Sequence, residues 1–155
     1  MNTFRPRVYI DTSMIGGCFD EEFKEYSLQL FDEFISGRKK IVISDVLLFE
    51  LEEAPQQVKS ALTRVPSDNI EYVSLNEESI TLANAYLKEG VVAESSLSDA
   101  RHMAIATVER VDILVNWNYK HIVNINRIRL LNSVNLKLGY PVIEIRSPRE
   151  VLYEW

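Results

Sequence analysis

The chain has 155 residues, 46% hydrophobic and 26% charged, with a formal net charge of −6. That length and balance fit one globular domain over 1–155 with a sizeable core, and no apolar run approaches a membrane span. The acidic balance argues against a general nucleic-acid binder, although its distribution is uneven. Residues 1–110 hold 11 Lys/Arg against 19 Asp/Glu, whereas residues 111–155 hold 6 against 4. The single cysteine, Cys18, leaves no internal disulfide. Asp11 interrupts any signal-peptide apolar region, and the chain is expected in the cytoplasm.

Residues 7–13, Arg7-Val8-Tyr9-Ile10-Asp11-Thr12-Ser13, read as a short buried strand ending in a carboxylate and two hydroxyls. Gly16-Gly17 then loosens the backbone, and residues 22–36 carry apolar side chains at helical spacing. The apolar residues around Phe31 and Phe34 are candidates for an interface. Ile41-Val42-Ile43 is a second buried strand, and Ser44-Asp45 opens a helix that runs to about Glu53. A short helix over 56–63 and a turn at Pro66–Asn69 precede a third strand, Ile70–Val73. Helices follow over 77–89 and 97–110, then the strand Ile113–Val115 and a loop through His121. A helix over 127–138 and a last strand over Pro141–Ile145 complete the chain. Short apolar strands alternating with helices give an α/β fold with a mostly parallel sheet.

Several polar residues allow two readings. Glu50 lies about 60° from Leu47 on a helical wheel, at the border of the apolar stripe. It is either a flank residue whose head reaches water or a functional group. Asp99 follows Ser96 by three residues, which is a capping-box pattern, and it also stands one turn from His102 as a metal ligand with a helper would. Asn116 and Asn118 follow a strand and suit a turn. Trp117 suits a packed cover, and Cys18 has no histidine at a useful local spacing. Lys120, Arg127, Arg129 and Lys137 are candidates for phosphate contacts, or simply solvated helix faces.

Taken together, the acids suggest more. One follows the first strand, one rides the helix after the second, and one opens the helix before the fourth. In a parallel sheet these places share the carboxyl edge, where ligands bind. Oxygen donors without a Cys/His cluster suit Mg²⁺ or Mn²⁺ rather than zinc. A cation there would bind phosphate oxygens and activate water toward phosphorus.

With these residues in view, the sequence resembles a PIN domain, the small nuclease fold of VapC-type toxins. Tyr9-Ile10-Asp11-Thr12-Ser13 is similar to the family's opening strand and first acid. Ser44 through Glu50 is similar to the second strand's exit and its Glu. Ser98-Asp99-Ala100-x-His102-x-Ala104-x-Ala106 is similar to the third acidic segment, and Val115-Asn116-Trp117-Asn118 to the segment carrying a hydroxyl residue and a fourth acid. The resemblance implies a three-layer α/β/α sandwich and Mg²⁺- or Mn²⁺-dependent endoribonuclease activity. It implies a homodimer, an RNA substrate and a small antitoxin partner, as for the toxin of a type II pair. It makes Asp11, Glu50 and Asp99 metal ligands and places Asn118 in the fourth acidic position. Thr12, Ser13, Asn116 and His102 support them, and Lys120, Arg127 and Arg129 position RNA. Asn118 and Asn116 depart from the family pattern. Asn118 motivates a rival reading: a PIN scaffold that binds protein or RNA without cleaving it. A phosphatase of the haloacid-dehalogenase kind using Asp11 as nucleophile would have a second acid where Ser13 stands. A receiver domain would have an acidic pair near the first strand's end.

Overall fold

The structure, a computed structural model, describes residues 4–118 and 124–154. Five strands form one sheet: β1 (Arg7–Ile10), β2 (Lys40–Ser44), β3 (Ile70–Val73), β4 (Ile113–Val115) and β5 (Ile145–Arg146). All pairings are parallel, in the order β3-β2-β1-β4-β5. Parallel strands need crossovers, and eight helices occur among the described residues: α1 (Thr12–Gly17), α2 (Lys24–Ser36), α3 (Asp45–Leu51), α4 (Gln56–Lys59), α5 (Glu77–Lys88), α6 (Leu97–Val108), α7 (Ile125–Lys137) and α8 (Pro148–Glu154).

Alternation along the strands assigns the layers. Tyr9, Val42, Leu114 and Ile145 point to one face and pack with residues of α5, α6 and α7. Val8, Ile10, Ile41, Ile43, Ile113 and Val115 point to the other and pack with α1, α2, α3, α4 and α8. The result is a three-layer α/β/α sandwich with two apolar cores, one on each side of the sheet. The winding reverses between β1 and β4, and the crevice beyond their carboxyl ends is the expected ligand position.

Four expectations require correction. Gly16-Gly17 does not loosen the chain but ends α1. The reason is packing: a Cβ on Gly17 would stand 2.5 Å from Ser27 Oγ and 2.6 Å from Trp117 Nε1. Only glycine lets α1, α2 and the loop after β4 meet this closely. The last strand does not span 141–145. Only Ile145–Arg146 joins the ladder, paired with Leu114 and Val115. A C-terminal helix, α8, follows it. Ser147 and Glu150 exchange hydrogen bonds as a capping box, with Pro148 at the first helical position. Finally, Phe31 and Phe34 are buried in the core, where α2 packs on α8, and do not form a surface.

Smaller shifts have local causes. The seventh helix begins two residues early because Asn124 caps it, accepting from the Asn126 and Arg127 amides at 3.0 and 3.3 Å. The helix carrying Glu50 ends at Leu51, and the segment 56–63 is split between α4 and a 3-10 turn over Ser60–Arg64. Cys18 is buried, which pushes its thiol up to about 11.

The Gly17 contact gives a test. Gly17→Ala should destabilise the fold by about 1–3 kcal/mol, the usual scale of overpacking. A thermal melt lower by several degrees is the expected result.

Candidate active site

Asp11 follows β1 at the reversal point as the N-cap residue of α1, and its side chain is nearly buried, with the residue 6% exposed. A carboxylate removed from water needs donors. Ser13 Oγ supplies one at 2.7 Å to Oδ1, and Asn116 Nδ2 supplies another to Oδ2. Ser13 Oγ also accepts from the Trp117 amide at 3.1 Å, which ties the end of β1 to the end of β4. Burial raises the pKa of Asp11. The charge of His102 and the Ser13 hydrogen bond oppose that rise, and the charge of Asp99 adds to it. Asp99 therefore belongs to the same electrostatic site as Asp11.

Glu50 sits on α3 with a carboxylate about 30% exposed. Three donors hold it. Thr12 Oγ1 (3.1 Å) and His102 Nε2 (2.6 Å) reach Oε1, and Ser98 Oγ (2.7 Å) reaches Oε2. Burial would raise its pKa, but the hydrogen bonds and charge of His102, helped by Ser98 and Thr12, outweigh that and hold it below the ordinary carboxylate range. The His102 ring is buried and fixed from behind by Tyr9 OH, 2.6 Å from Nδ1. Tyr9 in turn donates to Ser44 Oγ at 2.8 Å, and Ser44 caps α3 by accepting from the Leu47 amide. A continuous hydrogen-bonded chain thus runs from the helix cap through the sheet to Glu50.

The capping-box alternative for Asp99 does not hold, since the Ser96 side chain makes no cap hydrogen bond. His102 hydrogen-bonds to Glu50. Residues four apart share a helix face, and the Ser98–His102 spacing on α6 is what grips that carboxylate. Asn116 is buried, and its side chain links Asp11 to the Asn118 amide, which donates to Asn116 Oδ1 at 2.5 Å. Trp117 is a packed cover: it stacks on Phe23 at 4.4 Å between ring centroids, and its Nε1 donates to Ser27 at 2.7 Å. Arg127 donates to the carbonyls of Val91 (2.5 Å) and Gly90 (3.4 Å), so it braces the end of α5, whereas Arg129 is exposed on α7. Lys120 and His121 lie outside the described residues.

Tyr9 and Ser98 were not singled out in the sequence. Both left a signal. A tyrosine inside a strand flanked by other buried strands must find a partner for its hydroxyl, and Ser98 stands one helical turn before His102.

The donor chemistry suits a hard divalent cation only in part. Asp11 and Asp99 provide oxygen donors with adverse charge to neutralise. Among the described residues, however, no three His, Cys, Asp or Glu side chains stand close enough together to hold a metal ion. Glu50 is held by Thr12, Ser98 and His102, and Asp11 by Ser13 and Asn116.

A parallel α/β/α sandwich with acids at its reversal point defines a class, and comparison with solved structures makes it more specific. No family model and no curated protein sequence matches the chain. Solved structures do. VapBC2 from Rickettsia felis, bound to a promoter DNA fragment, has a TM-score of 0.57 at 17% identity, covering 91% of this chain and 98% of that one. VapC20 from Mycobacterium tuberculosis, a sarcin-ricin loop cleaving toxin, has 0.57 at 13% identity, covering 74% and 92%. FitAcB from Neisseria gonorrhoeae has 0.57 at 13% identity, covering 92% and 98%. The fold is that of a PIN/VapC-type domain.

The burial of Asp11 predicts a stability effect in metal-free protein. Its folded pKa is raised, so the ionised form disfavours the fold at neutral pH, and this penalty vanishes as the pH falls and the group is protonated. Asp11→Asn should therefore melt a few degrees above wild type at pH 7, with the gap closing toward acid in thermal scans.

Proposed function

We propose that this chain is a divalent-cation-dependent endoribonuclease of the PIN/VapC kind, acting as the toxin of a type II toxin–antitoxin pair. One observation carries the reading: Asp11 and Glu50, with their Ser13, Thr12, Ser98, His102 and Asn116 partners, stand with the charge of Asp99 at the carboxyl edge of the sheet. The fold is shared with a toxin that cleaves the sarcin-ricin loop and with a toxin–antitoxin complex from Klebsiella pneumoniae, which matches at TM-score 0.56.

Asp11, Glu50 and Asp99 would supply the oxygen donors for Mg²⁺ or Mn²⁺, ions that keep several waters and need only one or two carboxylates directly. When bound, the ion neutralises phosphate oxygens and makes water a better nucleophile. The protein's share is positioning. Ser13 and Asn116 fix the direction of the Asp11 carboxylate. Thr12, the next residue, ties Glu50 to the same corner. Asn118 offers an amide where the family has a fourth acid. Lys120, Arg127 and Arg129 are the cations that would position the RNA backbone. The working unit is a homodimer restrained by a small antitoxin.

A second reading is favoured by Asn116 and Asn118. Two neutral amides stand at this edge, so the site carries less negative charge than four acids would supply. A scaffold that binds a partner without cleaving RNA would have this composition.

The deciding experiment incubates a mixed single-stranded RNA pool with purified wild type and Asp11→Asn in Mn²⁺, Mg²⁺ or EDTA. Cleavage that needs metal and falls at least about tenfold in the variant is the expected result. A folded wild type that takes up Mn²⁺ and cleaves nothing rejects the nuclease in favour of the scaffold. Asn118→Asp then asks whether the missing charge restores activity.

A further inference from the structure

The sheet has an outer strand at each side, and the free edge of β5 is covered by side chains. The carbonyls of Glu144 and Arg146 accept from the Leu114 and Asn116 amides at 2.9 and 3.1 Å. Backbone groups alternate in direction along an extended chain, so Ile143 and Ile145 turn theirs outward, away from β4. Asn132 of α7 meets Ile143 there. Its Nδ2 donates to the Ile143 carbonyl at 3.1 Å, and its Oδ1 accepts from the Ile143 amide at 2.8 Å. An antiparallel neighbour would exchange the same two bonds, and a carboxamide has the chemistry of a peptide group. Arg146 Nη1 donates to the Ile145 carbonyl at 2.9 Å, and the Ser147 amide donates to Glu150 at 3.1 Å. Asn132 is also fixed from behind. Its Oδ1 accepts at 3.5 Å from Asn135, a fully buried residue held by Tyr86 and Thr107. A groove of about 560 Å³ lies beside this edge, with Ile125, Ile128, Ile145 and Glu150 in its walls.

We infer that Asn132 stands in for a sixth strand, and that the edge it covers is a latent pairing surface for a second copy of this chain. The charges select that occupant. In a two-fold antiparallel pair centred on Ile145, the two Ile145 residues exchange their backbone bonds, and Glu144 of each copy falls opposite Arg146 of the other. Opposite charges directly across two strands attract, and like charges repel. Within one chain Arg146 and Glu144 already pair at 2.6 Å, with side chains 29% and 55% exposed, so little is lost when each turns to the second copy. Asn132 blocks the pairing, because a strand cannot bond Ile143 while the carboxamide holds both of its groups. An uncovered edge is a template for association, and this one is kept occupied from within. The inference is independent of the cation and of RNA cleavage.

The test is the mass of the full chain in solution, by analytical ultracentrifugation over a range of concentrations. Asn132→Leu keeps the size of the side chain and removes both hydrogen bonds to Ile143. It is expected to double the wild-type mass, with self-association at least about tenfold tighter than in wild type. The change is read against wild type, so it holds whether wild type is itself one chain or two. Adding Arg146→Glu sets like charges across the pair and is expected to return the wild-type mass. Adding Glu144→Arg as well restores opposite charges and the doubled mass. An Asn132→Leu variant that keeps the wild-type mass, with or without another protein bound, overturns the inference. So does association that survives Arg146→Glu, since it runs through another surface, and so does a triple variant that stays at the wild-type mass. Should Asn132→Leu fail to fold, Asn132→Ser, too short to span both groups of Ile143, carries the same expectation and the same overturning results.

Discussion

The structure depends on keeping one carboxylate almost out of water. Asp11 lies where the winding of the sheet reverses, and a bare charge there would be costly. Its compensation comes from three parts of the chain. Ser13 is local, Asn116 arrives from the neighbouring strand, and the charge of His102 arrives from α6. Each depends on the sheet order, since only adjacent β1 and β4 bring residues 11 and 116 together. The arrangement that builds the sheet therefore also builds the pocket.

The two halves of the site are joined across the layers. α3 belongs to one face of the sheet and α6 to the other, and they meet where the sheet ends. Glu50 bridges that meeting. It takes hydrogen bonds from Thr12 on its own side and from Ser98 and His102 on the far side. Behind it, the Tyr9–Ser44 contact fastens the same bridge to two central strands. Because interior packing resists gradual deformation, a displacement of α6 would be felt at both acids.

Much of this was legible in the sequence. Apolar strands alternating with amphipathic helices specify a parallel α/β sandwich, and Asp11, Glu50 and Asp99 can be placed on one edge by counting elements. The division of labour among them was harder to read. The grip of His102 on Glu50 joins residues 52 positions apart, and helical spacing alone pointed His102 toward Asp99. Gly16-Gly17 misled for a similar reason, because glycine freedom suggests a loop while Gly17 is needed for close packing against Trp117. The C-terminal helix was a different kind of miss. Its Ser147-Pro148-x-Glu150 start signal was local and complete, but it lay beyond the last strand expected.

Trp117 has a consequence for observing the molecule. It is one of two tryptophans, the other being Trp155 at the chain's end. Its indole is sealed between Phe23 and Ser27, and its backbone is the element that spaces Asn116 from Asn118. A backbone shift between those two asparagines would carry the indole with it and disturb its ring stack. With Trp155 replaced, the emission colour of Trp117 would report the packing of its ring stack without an added label.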